Sequence, residues 1–280
     1  MDIVIDKSFL DGAPTVQVHS LCKEARVLFS ESLFFELMTT SNESQKRCFS
    51  KLPVMPNPVK LIPNVGTLLR YELENGASCT PLVQHAISEN FQFHDKLRQG
   101  TYVPEKDVLQ NLKEWESEVR TDTEEFLIRC SIVHQFFPEL NGIEYKKLQA
   151  GIGDARKRIS EDYDLVKSIY KSLVEEDAPP NMPKPELIGP EWAFFRWVQC
   201  QILSALRMFG RYQGKIELPV SDGIFKRAEH TMHDICYTIL ATLSGALATG
   251  DQEIVDDFLL TCPEGVLVTH EANKKIQPTS

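Results

Sequence analysis

Four short apolar runs, two near each end of this 280-residue chain, constrain its fold more than any other feature. Each run is rich in aliphatic side chains and is three to five residues long, a pattern typical of strands buried in a parallel sheet. The runs are residues 3–5, 27–29, 245–249 and 265–269.

The segments that follow or precede these runs have helical spacing. Ser30 is expected to cap a helix over residues 31–38, because a serine hydroxyl can accept a backbone N–H from the first helical turn. Residues 222–243 and 252–260 predict further helices. Strands that alternate with helices predict an α/β fold whose parallel sheet has right-handed crossovers.

The middle of the chain has a different texture. Four prolines between positions 53 and 63 argue against long helices in residues 44–80, and five prolines mark residues 177–190 as a loop. Helices are expected at residues 81–99, 104–137, 143–176 and 191–212. We therefore predict a discontinuous α/β domain formed by residues 1–44 and 218–272. Residues 45–217 are expected to form a mostly α-helical insertion, and residues 273–280 a flexible tail.

Composition narrows the class of protein. Hydrophobic residues make up 42% and charged residues 25%, as in ordinary globular proteins. The longest weakly polar run, residues 239–250, falls short of the roughly 20 apolar residues that span a bilayer. The start of the chain lacks the pattern of a secretory signal, and seven scattered cysteines favour reduced thiols. We expect a cytoplasmic protein without a membrane partner.

The net charge of −10 is concentrated at the two ends of the chain. Residues 1–40 and 221–280 together carry 7 basic and 15 acidic side chains, a net charge of −8. Such a bias usually reflects solvated surface acids. The alternative is a cluster of carboxylates that needs a cation.

Four acidic residues occupy positions that favour this alternative. Asp6 and Asp251 follow predicted strands, Glu36 lies in the helix after the second strand, and Asp234 lies in the helix before the third. Ligands bind at the carboxyl ends of the strands in an open parallel sheet. Carboxylates that converge there would repel one another, and Mg²⁺ or Mn²⁺ would relieve the repulsion. Each acid taken singly is also explained as a turn, cap or surface residue.

Four segments in order resemble the motifs of PIN-domain nucleases. Residues 3–8 resemble the opening strand of that family, where an apolar run ends in Asp and a small hydroxyl residue follows two positions later. Residues 30–37 are similar to the second motif, a helix start with one acid. Residues 233–235 resemble the third, and residues 248–251 resemble the fourth, a strand that ends in Thr-x-Asp. The sequence departs from the family at Lys7, where Thr or Asn is more usual.

The resemblance implies a PIN-like sheet with a long helical insertion and a metal-dependent nuclease, most simply an endoribonuclease. Hydrolysis of the phosphodiester would leave a 5′-phosphate and a 3′-hydroxyl, in a toxin, RNA-processing or defence role. Mg²⁺ or Mn²⁺ is the implied cofactor, and nucleic acid, RNA rather than DNA, the implied partner. The implied metal-binding and catalytic acids are Asp6, Glu36, Asp234 and Asp251, with Ser8 and Thr249 as supporting hydroxyls.

An acidic site needs basic residues elsewhere to hold nucleic acid. Arg207, Arg211, Tyr212 and Lys215 interleave cationic and aromatic side chains, as single-strand binding surfaces do. The end of a buried helix is an equally good explanation of this pattern.

Two other interpretations stay open. A catalytically silent PIN-like scaffold would use its helical region to bind a partner or a protein regulator. An α/β phosphatase-like hydrolase also places acids at strand ends, but it would usually carry Asp-x-Asp, and the residue two after Asp6 is Ser8.

Packing of the apolar middle helices across a two-fold axis would give a homodimer.

Overall fold

The computed structural model of the chain describes residues 1–174 and 181–270, and its chain path forms two compact units. The first unit comprises Met1–Leu68, Cys79–Glu114 and the chain from Cys236 onward. The second comprises Leu69–Ser78 and Trp115–Ile235. The predicted flexible tail at residues 273–280 lies outside the described residues.

The first unit is built on a five-stranded sheet in which every neighbouring pair is parallel. The strands are β1 Asp2–Ile5, β2 Arg26–Ser30, β3 Lys60–Ile62, β4 Ala246–Ala248 and β5 Val266–Val268. Their order in the sheet is β3-β2-β1-β4-β5, so β1 is central and is buried on both faces. The predicted α/β class with a parallel sheet is confirmed.

Ser30 caps α3 (Glu31–Thr39) as predicted, because its hydroxyl accepts the N–H of Leu33 at 3.1 Å. The helices of the first unit are α1 Lys7–Gly12, α2 Thr15–Glu24, α3 Glu31–Thr39, α4 Asn42–Ser50, α6 Asp95–Gln99 and α12 Gln252–Thr261. Three helices run from one unit into the other: α5 Val65–Asn75, α7 Lys106–Ile132 and α11 Asp222–Ser244.

The second unit is helical. Its central helix, α10 Ala193–Arg211, is buried along almost its whole length and packs against α8 Tyr145–Glu161 and α9 Tyr163–Val174. Short 3₁₀ helices at Val133–Gln135 and Pro138–Leu140 complete it. Over the described residues, every helix is too short or too polar to cross a lipid bilayer.

The single helix predicted over residues 81–99 is wrong. The structure has a 3₁₀ turn at Leu82–His85, an irregular stretch, and then α6. Tertiary contacts decide this: the N–H of Ile87 donates to the carbonyl of Leu61, and Asn57 exchanges two hydrogen bonds with Phe91. These contacts hold the backbone extended, so helical spacing does not become a helix.

Two further expectations about the middle of the chain need correction. The range 143–176, expected as one helix, is divided at Asp162, whose side chain accepts the N–H of Leu165 and starts α9. Residues 44–80, expected to be irregular, contain the edge strand β3 and the 11-residue α5. The sheet therefore takes a strand from the range 45–217 that we assigned to the insertion.

A buried carboxylate fixes the start of the central helix of the second unit. Glu72 on α5 is fully buried and accepts the N–H groups of Ala193 and Phe194 at 2.7 and 3.0 Å. Trp192, at the N-cap position of α10, makes no side-chain cap bond of its own. A negative charge at a helix N-terminus also interacts favourably with the helix dipole.

We expect Glu72→Ala to lower the free energy of unfolding by about 3 kcal/mol, because two buried N–H donors lose their acceptor. Chemical denaturation measures this. Glu74→Ala is the matched control, since Glu74 is an exposed glutamate on the same helix and should change stability by less than about 0.5 kcal/mol. Equal effects of the two substitutions would contradict the capping role of Glu72.

Candidate functional site

The carboxylate of Asp6 is buried where β1 ends. Its side chain caps α1 by accepting the N–H of Phe9 at 2.8 Å. It also accepts the hydroxyl of Ser8 at 2.7 Å and the hydroxyl of Thr249 at 2.6 Å. Three donors thus hold the orientation of a side chain that is only 1% exposed.

Sheet topology brings Thr249 to Asp6. The N–H of Asp6 donates to the carbonyl of Ala248 in the neighbouring β4, and the N–H of Thr249 donates to the carbonyl of Val268, the last residue of β5. The strand order reverses at β1, which has β2 on one side and β4 on the other. This is the switch point at which open parallel sheets bind ligands.

Burial dominates the electrostatics of Asp6. It raises the pKa of this carboxyl from its ordinary value of 3.8 to about 6, because a buried carboxylate loses its hydration. Hydrogen bonds from Thr249, Phe9 and Ser8 lower the pKa again, and the negative charge of Glu36 raises it. Glu36 is therefore near enough to Asp6 for its negative charge to disfavour the charged form of Asp6.

Both oxygens of Glu36 have partners. Oε1 lies 3.1 Å from the Nζ of Lys7, and Oε2 accepts the hydroxyl of the buried Tyr237 at 2.7 Å. The Lys7 and Glu36 side chains are 25% and 18% exposed. Glu36 is thus a half-buried carboxylate held by one cation and one neutral donor.

Asp251 is joined to the Asp6 network through Thr249. Its N–H donates to Thr249 Oγ1 at 3.0 Å, and its side chain caps α12 by accepting the N–H groups of Glu253 and Ile254. The structure therefore gives Asp251 the cap position and links its backbone to the hydroxyl that binds Asp6.

Asp234 lies in the other unit. It is a half-buried residue of α11, one turn before Tyr237, in the part of this helix that belongs to the second unit. Its membership of the acid cluster stays a prediction. The basic and aromatic residues Arg207, Arg211, Tyr212 and Lys215 also belong to the second unit, where α10 ends at Arg211.

The predicted nucleic-acid surface keeps two exposed cations, Arg211 and Lys215, while Arg207 and Tyr212 are half-buried. The ring of the neighbouring Phe209 stacks on His134 and is 4% exposed, so this aromatic belongs to the interior. The binding role of the four residues stays a prediction.

A histidine lies in a notch made by two glycines beside Ser8. A Cβ on Gly250 would stand 2.1 Å from Cε1 of His270, and a Cβ on Gly12 would stand 3.0 Å from its Nε2. The N–H of Gly250 donates to Ser8 Oγ at 2.7 Å. Nδ1 of His270 is buried and has no hydrogen-bond partner within the described ranges.

The contacts of Lys7 and Tyr237 do not follow from the motifs in the sequence. Lys7 differs from the family pattern, and its position next to Asp6 is a usable signal. Tyr237 gives a weaker signal, its position one turn after Asp234. We find no sequence feature that predicts His270.

The chemistry of Asp6 and Glu36 fits a hard divalent cation. Both supply oxygen ligands, burial opposes the charge on Asp6, and the Lys7 ammonium already stands as a cation beside Glu36. Mg²⁺ is usually bound by one or two carboxylates together with water and substrate phosphates. Within residues 1–174 and 181–270, no group of three or more His, Cys, Asp or Glu side chains could hold a metal ion by itself.

Comparison with known proteins adds no family to this geometry. No protein-family model matches the chain, and no curated protein or solved structure matches it.

We expect the stability of this unit to depend on pH through Asp6. The folded state holds the Asp6 proton up to a pKa of about 6, whereas the unfolded chain releases it near 3.8. The contribution of protonated Asp6 to the free energy of unfolding is complete below pH 3.8 and is lost as the pH rises through 6. The free energy of unfolding of Asp6→Asn relative to wild type should therefore rise by up to about 3 kcal/mol between pH 4 and pH 7. Parallel profiles in urea titrations at several pH values would contradict the raised pKa.

Gly250→Ala is expected to displace the imidazole of His270 and to cost about 1–3 kcal/mol of stability, since a Cβ at this position overlaps the ring. The double variant Gly250→Ala/His270→Ala should recover much of that loss in a thermal unfolding experiment, because it removes the overlapping ring. Gly223→Ala is the control, as a Cβ there meets nothing within 4 Å. Strictly additive effects of the two site substitutions would show that the notch is not formed.

Proposed function

We propose that the chain is a metal-dependent phosphodiesterase of the PIN-like type, acting as an endoribonuclease. The observation that carries the proposal is the hydrogen-bonded group formed by Asp6, Ser8 and Thr249 at the switch point of the sheet, with Glu36 within electrostatic range. Two of the acids and both hydroxyls expected from the motif resemblance take part. The all-parallel sheet with a central β1 is compatible with a PIN-like fold.

Asp6 and Glu36 are the residues that would hold Mg²⁺ or Mn²⁺. When bound, such a cation lowers the pKa of a water and stabilises charge on the leaving oxygen of a phosphodiester. Asp251 and Asp234 join the proposed ligand set on their sequence motifs. The products would carry a 5′-phosphate and a 3′-hydroxyl, as the resemblance implies.

The side chains around Asp6 have a positioning role in this proposal. The hydroxyls of Ser8 and Thr249 donate to the carboxylate, so its remaining lone pairs keep a fixed direction. The Gly250 N–H donates to Ser8 Oγ and thereby directs the Ser8 hydroxyl hydrogen toward Asp6. Hydrogen bonds that orient a metal-binding carboxylate commonly contribute 10- to 100-fold to metal affinity or activity.

A catalytically silent interaction protein is the second candidate. It is favoured by a groove of about 610 Å³ in the second unit, between α7 and the start of α11. Apolar and charged side chains line this groove, and its apolar residues Ile128 and Leu218 are 49% and 48% exposed. Exposed apolar surface of this kind commonly marks an interaction site.

Cleavage of labelled single-stranded RNA and DNA with Mg²⁺ or Mn²⁺ tests the two candidates. We expect wild type to cut RNA in preference to DNA, Asp6→Asn to lose about a hundredfold or more in rate, and Ser8→Ala about tenfold. Asp234→Asn should lose activity if it belongs to the site. Asp222→Asn, an exposed acid on the same helix, is the control and should cut normally.

Two outcomes would reject the nuclease. One is the absence of cleavage by wild type on both substrates; the other is cleavage that persists unchanged in Asp6→Asn. Either result would leave the silent interaction protein as the better account.

A further inference from the structure

Lys7 occupies an unusual place for a lysine. It follows the buried Asp6 directly, as the first residue of α1, and its ammonium points to Glu36, the second acid of the proposed site. The Nζ–Oε1 distance of 3.1 Å is that of a hydrogen-bonded ion pair. One positive charge is thus already placed beside Glu36.

The other oxygen of Glu36 leaves little freedom for a different arrangement. Tyr237, which is 2% exposed, donates its hydroxyl to Oε2 at 2.7 Å. Glu36 therefore presents Oε1 toward Lys7. A divalent cation that uses Oε1 would face an ammonium at the same atom, and two cations at that separation repel each other strongly in a partly buried site.

The lysine side chain is able to leave. A quarter of its surface is exposed, and four rotatable carbon–carbon bonds let an ammonium withdraw into water without movement of the backbone. The Tyr237 hydroxyl is neutral, so it holds Glu36 in place whether Lys7 or a metal ion neutralises it.

We propose that Lys7 is a built-in competitor for the metal: its ammonium neutralises Glu36 until Mg²⁺ or Mn²⁺ displaces it, so that Lys7 sets the metal affinity of the site. This inference rests on the proposed function, because it takes Glu36 as a metal ligand. It assigns to Lys7, the position at which the sequence departs from the family pattern, control over how much divalent cation the site requires.

Calorimetric titration with MnCl₂ alone tests the proposal, at low ionic strength because salt screens such charges. Lys7→Met removes the charge and keeps the length of the side chain, and we expect its dissociation constant to be at least about fivefold lower than that of wild type. Lys7→Gln is a second variant without the charge and should behave in the same way. Lys7→Arg keeps the charge and should stay within about twofold of wild type.

Two controls separate this inference from the proposed function. Lys23→Met removes one positive charge at an exposed position on α2, and it should bind Mn²⁺ as wild type does. Glu36→Gln should bind more weakly than wild type, because it removes the carboxylate for which Lys7 and the metal compete.

The outcomes are distinct. Tighter binding by Lys7→Met and Lys7→Gln but not by Lys23→Met supports the competitor. Equal affinities of wild type, Lys7→Met and Lys7→Gln overturn it and leave the metal-dependent function standing. If Mn²⁺ binds to none of the variants, both the competitor and the metal-dependent function are overturned.

Discussion

The hydrogen bond from Thr249 to the buried carboxylate of Asp6 is the interaction on which the rest of this site depends. A charge this deeply buried is costly unless it has hydrogen-bond donors. The donors come from α1 and from the segment after β4, so satisfying the carboxylate also fixes where these elements meet. Ser8 and Asp251 are then placed by their bonds to the same threonine hydroxyl. Local structure and the proposed chemistry share one set of contacts.

The negative charges of Asp6 and Glu36 are stabilised by different kinds of partner. Asp6 relies on neutral donors and keeps a raised pKa, while Glu36 has an ammonium and a phenol. A carboxylate whose partners are all neutral still carries a negative charge that no counter-ion neutralises. A carboxylate that already has a counter-ion is partly neutralised and therefore attracts a metal ion less strongly. This difference between Asp6 and Glu36 underlies the competition proposed for Lys7.

Local signals account for what could be predicted from the sequence. The apolar runs at residues 3–5 and 27–29 became β1 and β2, and Ser30 caps α3, because these features depend on neighbouring residues alone. The irregular backbone after Leu82–His85 depends on Asn57 and Leu61, and helical spacing carries no information about such partners. The position of His270 could not be predicted either, because it depends on contacts with Gly12 and Gly250. Gly12 is distant in the chain from both His270 and Gly250.

The position of β4 in the sequence affects when the sheet can form during synthesis. One edge of β1 pairs with β2, only about 24 residues later, but its other edge waits for β4, more than 240 residues along the chain. During synthesis the nascent N-terminal segment therefore holds an open strand edge while the ribosome makes the whole helical unit. An unpaired apolar edge is prone to pair with other chains. The hydrogen bond from Thr249 to Asp6 can therefore form only after the segment that follows β4 has been synthesised.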